Sequence, residues 1–186
     1  MADDEKINWA EDPGWHFDFR VVIPIVQIRY LRKQSAEPLG GLRTLFVAFV
    51  SAFVLLGVVQ LFWDRPSVDA AVGAWIVAIA LLTGIAFVVE PRVERPLSCE
   101  SDATLLDSYR SRFFIRMGTA NAPLYVGFVG GFVASPSVYV ASLLLAVPML
   151  VRTAPTPAAL RRDQDELSEL GCERSLVAAL RRRPSE

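Results

Sequence analysis

Residues able to do chemistry are sparse in this chain of 186 amino acids, and their spacing argues against catalysis. His16 is the only histidine, no GxSxG elbow or P-loop glycine pattern occurs, and no His, Cys or acidic group has metal-ligand spacing. The sequence therefore predicts no catalytic residue, no metal site and no cofactor, and the protein reads as a non-enzyme. Cys99 and Cys172 lie 73 positions apart without CxxC spacing, which suggests neither a disulfide framework nor a zinc site. Cys99, beside Glu100, reads as a free loop thiol; the competing reading is thiol chemistry at Cys99, which has no histidine near it in sequence to activate it.

Two other groups stand out. Asn121-Ala122-Pro123 places a proline where it removes a backbone donor and frees a carbonyl near Thr119, while Asn121 offers both donor and acceptor. With Tyr125, Thr119 and Asn121 form a predicted polar notch, either an interhelical hydrogen bond beside a kink or a ligand site. Glu90 and Arg116 fall at the ends of adjacent apolar segments and are expected to pair there. The run Arg181-Arg182-Arg183 reads as a solvated helix end attracted to anionic lipid. Asp163, Asp165, Glu166, Glu169 and Glu173 precede it and would repel a phosphate backbone, so no nucleic-acid partner is expected.

The elements that must position these residues are set by hydropathy. Mean hydropathy is +0.36, with 53% hydrophobic and 21% charged residues, which disfavours a soluble globule. Lys, Arg, Asp and Glu are absent from Thr44 to Trp63, Ala70 to Val89 and Met117 to Val151. A hydrocarbon core of roughly 30 Å needs about 20 apolar residues in a helix, so the first two gaps each suit one span. Ala134-Ser135-Pro136-Ser137 breaks the third gap with turn residues. The expected fold is all-α and polytopic, with four transmembrane helices over residues 44–63, 70–89, 117–134 and 137–151.

Around this 44–151 domain the expected organisation is a tail over 1–43, an internal loop over 90–116 and a helical tail over 152–186. The acidic start shows no cleavable signal peptide. From Pro24, residues Ile25, Ile28 and Leu31 fall at helical spacing beside Arg29, Arg32 and Lys33, as in an interfacial amphipathic helix. Pro38-Leu39-Gly40-Gly41 reads as a break before the first span. Ser101 or Asp102 is expected to cap a helix running unbroken into the third span. In the C-terminal tail, Thr156-Pro157 and Ser175 read as helix starts, Gly171 as a stop, and Leu160, Leu167 and Leu170 as an apolar stripe.

Orientation follows from the cations, because Lys and Arg are retained on the cytoplasmic side. Eighteen of nineteen lie in 1–43, 90–116 and 152–186, and only Arg65 lies elsewhere. Both termini are thus expected in the cytoplasm of a plasma (inner) membrane, with Cys99 and Cys172 in a reducing compartment.

The segment Ala120-Asn121-Ala122-Pro123-Leu124-Tyr125-Val126-Gly127-Phe128 resembles the carboxylate-bearing helix of the proteolipid (c) subunit of rotary ATP synthases. The helices flanking Glu90 to Pro96 are similar to that hairpin, so the likeness covers residues 70–134, about a third of the chain. Asn121 stands where that family's proton-binding carboxylate would be, and the second span lacks its glycine run. The resemblance implies a hairpin that does not transport protons.

No ionisable residue falls within the four expected spans, which weakens pump and antiporter readings. Gly127 and Gly131 have GxxxG spacing, and Gly118 and Ala122 form a small-residue pair before them. These four are expected to form a helix-packing face toward a partner. The functional expectation is a noncatalytic accessory or stabilising subunit of a larger plasma-membrane complex such as a transporter, with a bacterial lipid-import system as one suitable host. Its partners would be membrane lipids, other integral membrane subunits or copies of itself. The alternative is a small oligomeric permease or channel whose polar path uses Asn121 and Gln60.

Overall fold

The computed structural model describes residues 38–62 and 69–181, and among these every element is a helix. The predicted interfacial helix at residues 24–33, with His16, Arg65 and Arg182-Arg183, lies outside the described residues. In chain order the helices are α1 (Pro38–Leu61), α2 (Asp69–Val93), α3 (Asp102–Val133), α4 (Pro136–Thr153), α5 (Pro157–Glu169) and α6 (Leu176–Arg181). By length and apolar composition α1, α2 and α4 are able to cross a membrane.

Helix boundaries follow local chemistry. Helix α1 begins at Pro38, before the expected Thr44, because proline suits the first turn of a helix, where its missing N–H costs nothing. Helix α2 runs past Glu90 and tolerates Pro91 in its final turn. Helix α3 is 32 residues long, about 48 Å at 1.5 Å per residue. At its start Thr104 N–H donates to Ser101 Oγ at 3.1 Å and Ser101 N–H to Thr104 Oγ1 at 2.9 Å, a reciprocal cap. The turn before Pro136 is short, and α4 starts on that proline, one residue ahead of the expected span start at 137.

The chain divides into two compact units, one of Phe49–Arg95 and Ser111–Thr153, the other of Met1–Ala48, Pro96–Arg110 and Ala154–Glu186. In the first, the bundle unit, the interior is stacked in layers. Ile79, Ala134 and Val138 pack with Trp75 in one layer. Phe53, Leu124, Tyr139 and Ala146 form the next, with Phe49, Phe128 and Leu143 against them. Ala86, Ala120 and Met149 form a third. The buried Tyr139 hydroxyl donates to the Phe53 carbonyl at 2.6 Å, which satisfies the one polar atom of that layer's largest side chain.

In the second unit α5 and α6 pack through Leu160, Leu167, Leu176 and Leu180, all with no exposed surface. Leu170, expected on the same stripe, is 65% exposed, because it caps the C-terminus of α5 outside the helical period. Thr156 caps α5 by accepting from Ala159 N–H at 3.2 Å, and Pro157 follows at the first helical position. Gly171, with φ +76°, supplies the left-handed residue that ends the helix. Gln164 joins the two helices, donating to the Arg174 carbonyl at 3.1 Å and accepting from Leu176 N–H at 2.7 Å.

Candidate functional site

Among the described residues of the bundle unit, a cluster of charged side chains lies where α2 and α4 end and α3 enters it. Arg116 of α3 makes a bidentate pair with Glu94, Nε to Oε1 at 2.8 Å and Nη2 to Oε2 at 3.0 Å. One turn earlier on the same helix face, Arg112 Nε lies 3.4 Å from Glu94 Oε2 and donates to the Arg95 carbonyl at 3.1 Å. Arg152, in the last turn of α4, brings its Nε within 3.4 Å of Glu90 Oε2. Glu90 is wholly buried and Arg112 and Arg116 nearly so, whereas the Arg152 side chain is 39% exposed.

Three guanidiniums face two carboxylates across three helix ends. Burial by itself raises the Glu94 carboxyl, but the hydrogen bond and charge of Arg116, with the charges of Arg112 and Arg152, outweigh it and hold the pKa below the usual carboxylate range. Glu94 therefore stays ionised at neutral pH, and arginine is protonated throughout. Planar Arg–carboxylate forks fix geometry as well as charge, so the chemistry this arrangement supports is locking α2, α3 and α4 in register.

The sequence predicted a Glu90–Arg116 pair at this level. The structure gives Arg116 the bidentate pair with Glu94 and sets Glu90 beside Arg152. The residues not singled out were Glu94, Arg112 and Arg152. Their signal was the i,i+4 spacing of Glu90 with Glu94 and of Arg112 with Arg116, which places each pair on one helix face.

The three residues of the predicted notch do not converge. Thr119 Oγ1 donates back to the Ile115 carbonyl of its own helix. Asn121 is buried, and its Oδ1 has no hydrogen-bond partner. Tyr125 is 55% exposed and sets its ring edge against Phe53 at 5.2 Å. Gln60 is buried and donates to the Phe128 carbonyl at 2.8 Å. Seven residues separate positions 121 and 128, about 10 Å along α3, and the Phe53–Leu124–Tyr139 layer fills that interval.

Of the small residues, Gly127 and Gly131 make close approaches within the chain itself. A Cβ at Gly127 would overlap the Ser142 side chain, and one at Gly131 would overlap Gln60. Two glycines that GxxxG spacing does not single out are as tightly placed. A Cβ at Gly130 would lie 2.8 Å from both Trp75 and Val138, and one at Gly57 would lie 2.9 Å from Tyr139. Gly118 has open space where a Cβ would go, and Ala122 is partly buried.

One expectation is overturned. Cys99 and Cys172 form a disulfide, with Cα atoms 5.9 Å apart. Neither is therefore the free thiol that the sequence suggested, and the reading of thiol chemistry at Cys99 loses its nucleophile in this state. The reason is tertiary: the α3–α4 hairpin takes up most of the sequence between the two cysteines and hides a spatial neighbour from sequence spacing. Arg174 joins the same two segments, donating to Asp102 Oδ1 at 2.7 Å and to the Glu100 carbonyl at 3.3 Å.

Among known proteins, no family model, no curated protein and no solved structure matches this chain.

Proposed function

We propose that the chain is a four-span, noncatalytic accessory subunit that stabilises a larger plasma-membrane complex, with both termini in the cytoplasm. The observation that carries this reading is the closed interior of the bundle unit. Leu124 and Tyr139 have no exposed surface, and their layer separates Asn121 from Gln60. The two residues that a polar path would need thus stand on opposite sides of an apolar plug, which counts against the permease alternative. The ion network spends its charges on joining helix ends.

The outer surface suits a protein embedded among other apolar surfaces. Val77, Leu81, Ile85 and Val88 of α2 are more than half exposed, and Gly73 and Gly84 on the same helix have open space at the Cβ position. Such a helix is complementary to lipid or to a neighbouring subunit.

Four crossings are supported by parity. Helix α4 is long and apolar enough to cross. If it crossed alone between Cys99 and Cys172, the two cysteines would stand on opposite sides of the membrane and could not be bonded. A second crossing is needed between them, and α3 is the helix available. Its 117–133 stretch, about 26 Å long, has low hydropathy because Asn121, Pro123, Tyr125 and four glycines dilute its apolar residues. The cation distribution supports the cytoplasmic assignment.

Purification in mild detergent with quantitative mass spectrometry tests the reading. Recovery of a different integral membrane protein in fixed stoichiometry is the expected result. Recovery of this chain alone, as monomer or homo-oligomer, contradicts it.

A further inference from the structure

Charge and covalent chemistry disagree about the face that carries Cys99 and Cys172. The segments bearing the two cysteines, 90–116 and 152–186, hold twelve of the nineteen lysines and arginines, and cation retention assigns them to the cytoplasm. Thiol pools there keep ordinary cysteine pairs reduced, and the disulfides that do form are mostly transient and redox-sensing. Yet Cys99 and Cys172 are bonded, at a Cα separation typical of disulfides.

The bond fastens one defined piece of the molecule. Cys172 lies in the turn that closes α5, where its N–H donates to the Leu167 carbonyl at 3.0 Å, and Cys99 lies in the segment just before α3. Arg174 ties the same segments noncovalently, through its bonds to Asp102 and to the Glu100 carbonyl. The Arg174 and Asp102 side chains are 43% and 32% exposed, so water and salt weaken that pair. Cys99 is partly exposed whereas Cys172 is buried, so Cys99 is the cysteine at which the exchange is taken to begin.

We infer that Cys99–Cys172 is a reversible redox clasp. Oxidised, it fastens α5 and α6 to the segment before α3 covalently; reduced, it leaves noncovalent contacts, the Arg174 bonds among them, to hold them. Opening is thiol–disulfide exchange with a cytosolic dithiol. A thiolate of the dithiol attacks the Cys99 sulfur, the bond to Cys172 breaks, and a mixed disulfide forms. The second thiolate of the dithiol then displaces Cys99. The two electrons and two protons of the dithiol end on Cys99 and Cys172, and the dithiol leaves as a disulfide. Closing is the reverse reaction with an external disulfide.

The inference rests on the cytoplasmic orientation proposed above, and its test separates the two. Cells expressing the full chain are treated with diamide, or with a membrane-impermeant phosphine reductant, then acid-quenched and alkylated with a mass-tagged maleimide. The clasp requires that diamide drive the pair to the oxidised form, that the reduced form return after washout, and that the impermeant reductant leave the bond intact. A bond opened by the impermeant reductant lies on the outer face and overturns clasp and orientation together. A pair inaccessible from outside but fixed in one redox state overturns the clasp alone.

A second readout is tryptic cleavage after Arg161 and Arg162 in inverted vesicles. Reduction should speed cleavage about tenfold, and Cys99→Ser or Cys172→Ser should reproduce that rate under oxidising conditions. Equal rates in both redox states overturn the clasp.

Discussion

The two units use the same pair of groups, an arginine and a carboxylate, under different conditions. In the bundle unit Arg116 and Glu94 are 8% and 11% exposed and share their surroundings with Glu90, Arg112 and Arg152. In the second unit Arg174 and Asp102 are 43% and 32% exposed and stand beside a disulfide. Burial converts a pair worth little into one that is costly to break, because removing one partner strands a desolvated charge. Where water reaches the pair, a covalent bond does the holding instead.

The sharpest way to break this comparison is to truncate both arginines. Arg116→Ala is expected to cost about 3–5 kcal/mol, and Arg174→Ala less than about 1 kcal/mol, in reversible unfolding by denaturing detergent. Equal losses would mean that burial does not set the difference. Next in size is the glycine contrast within α3. Gly127→Ala and Gly131→Ala drive a methyl into Ser142 and Gln60 and are expected to cost about 1–3 kcal/mol. Gly118→Ala meets no neighbour and should be neutral or stabilising by up to about 1 kcal/mol. If the three variants unfold alike, the close approaches do not support the bundle.

At the level of single caps, Thr156→Ala should cost about 1 kcal/mol, read as faster amide exchange confined to the first turn of α5. Unchanged exchange in that turn would remove Thr156 as the cap of α5. Acid gives a subtler probe. The folded pKa of Glu94 is lowered, so its ion pairs contribute fully above the carboxyl's ordinary pKa, and that contribution is lost as pH falls through the lowered value. Bundle stability should therefore decline on acidification below the ordinary carboxylate range, and Glu94→Gln should flatten that decline. An unchanged slope in the variant would remove Glu94 from the network.

What the sequence revealed divides along the same line. Helix ends governed by local chemistry were legible: the Ser101 cap, the break at Ala134–Ser137 to within a residue or two, the Thr156-Pro157 start and the Gly171 stop each depend on residues within one turn. The Cys99–Cys172 bond was not legible, since three helices intervene. Nor was the use of Gly130 and Gly57, which depends on where Trp75, Val138 and Tyr139 arrive from other helices. Asn121 and Tyr125, four apart on α3, were expected to share a notch, but tertiary packing buries one and exposes the other. The ion network falls between these cases: its i,i+4 pairs were visible, while the choice of partner was fixed by three helix ends meeting.

The central claim is that α1 to α4 all cross the membrane, with the cation-rich segments inside. Single cysteines at Ser67→Cys, Arg110→Cys, Ser135→Cys and Ser185→Cys, in a chain with Cys99 and Cys172 replaced by serine, read it directly through a membrane-impermeant maleimide. Labelling at 67 and 135 in intact cells, with 110 and 185 labelled only after permeabilisation, is the result this account predicts. Labelling of 110 or 185 in intact cells would contradict it.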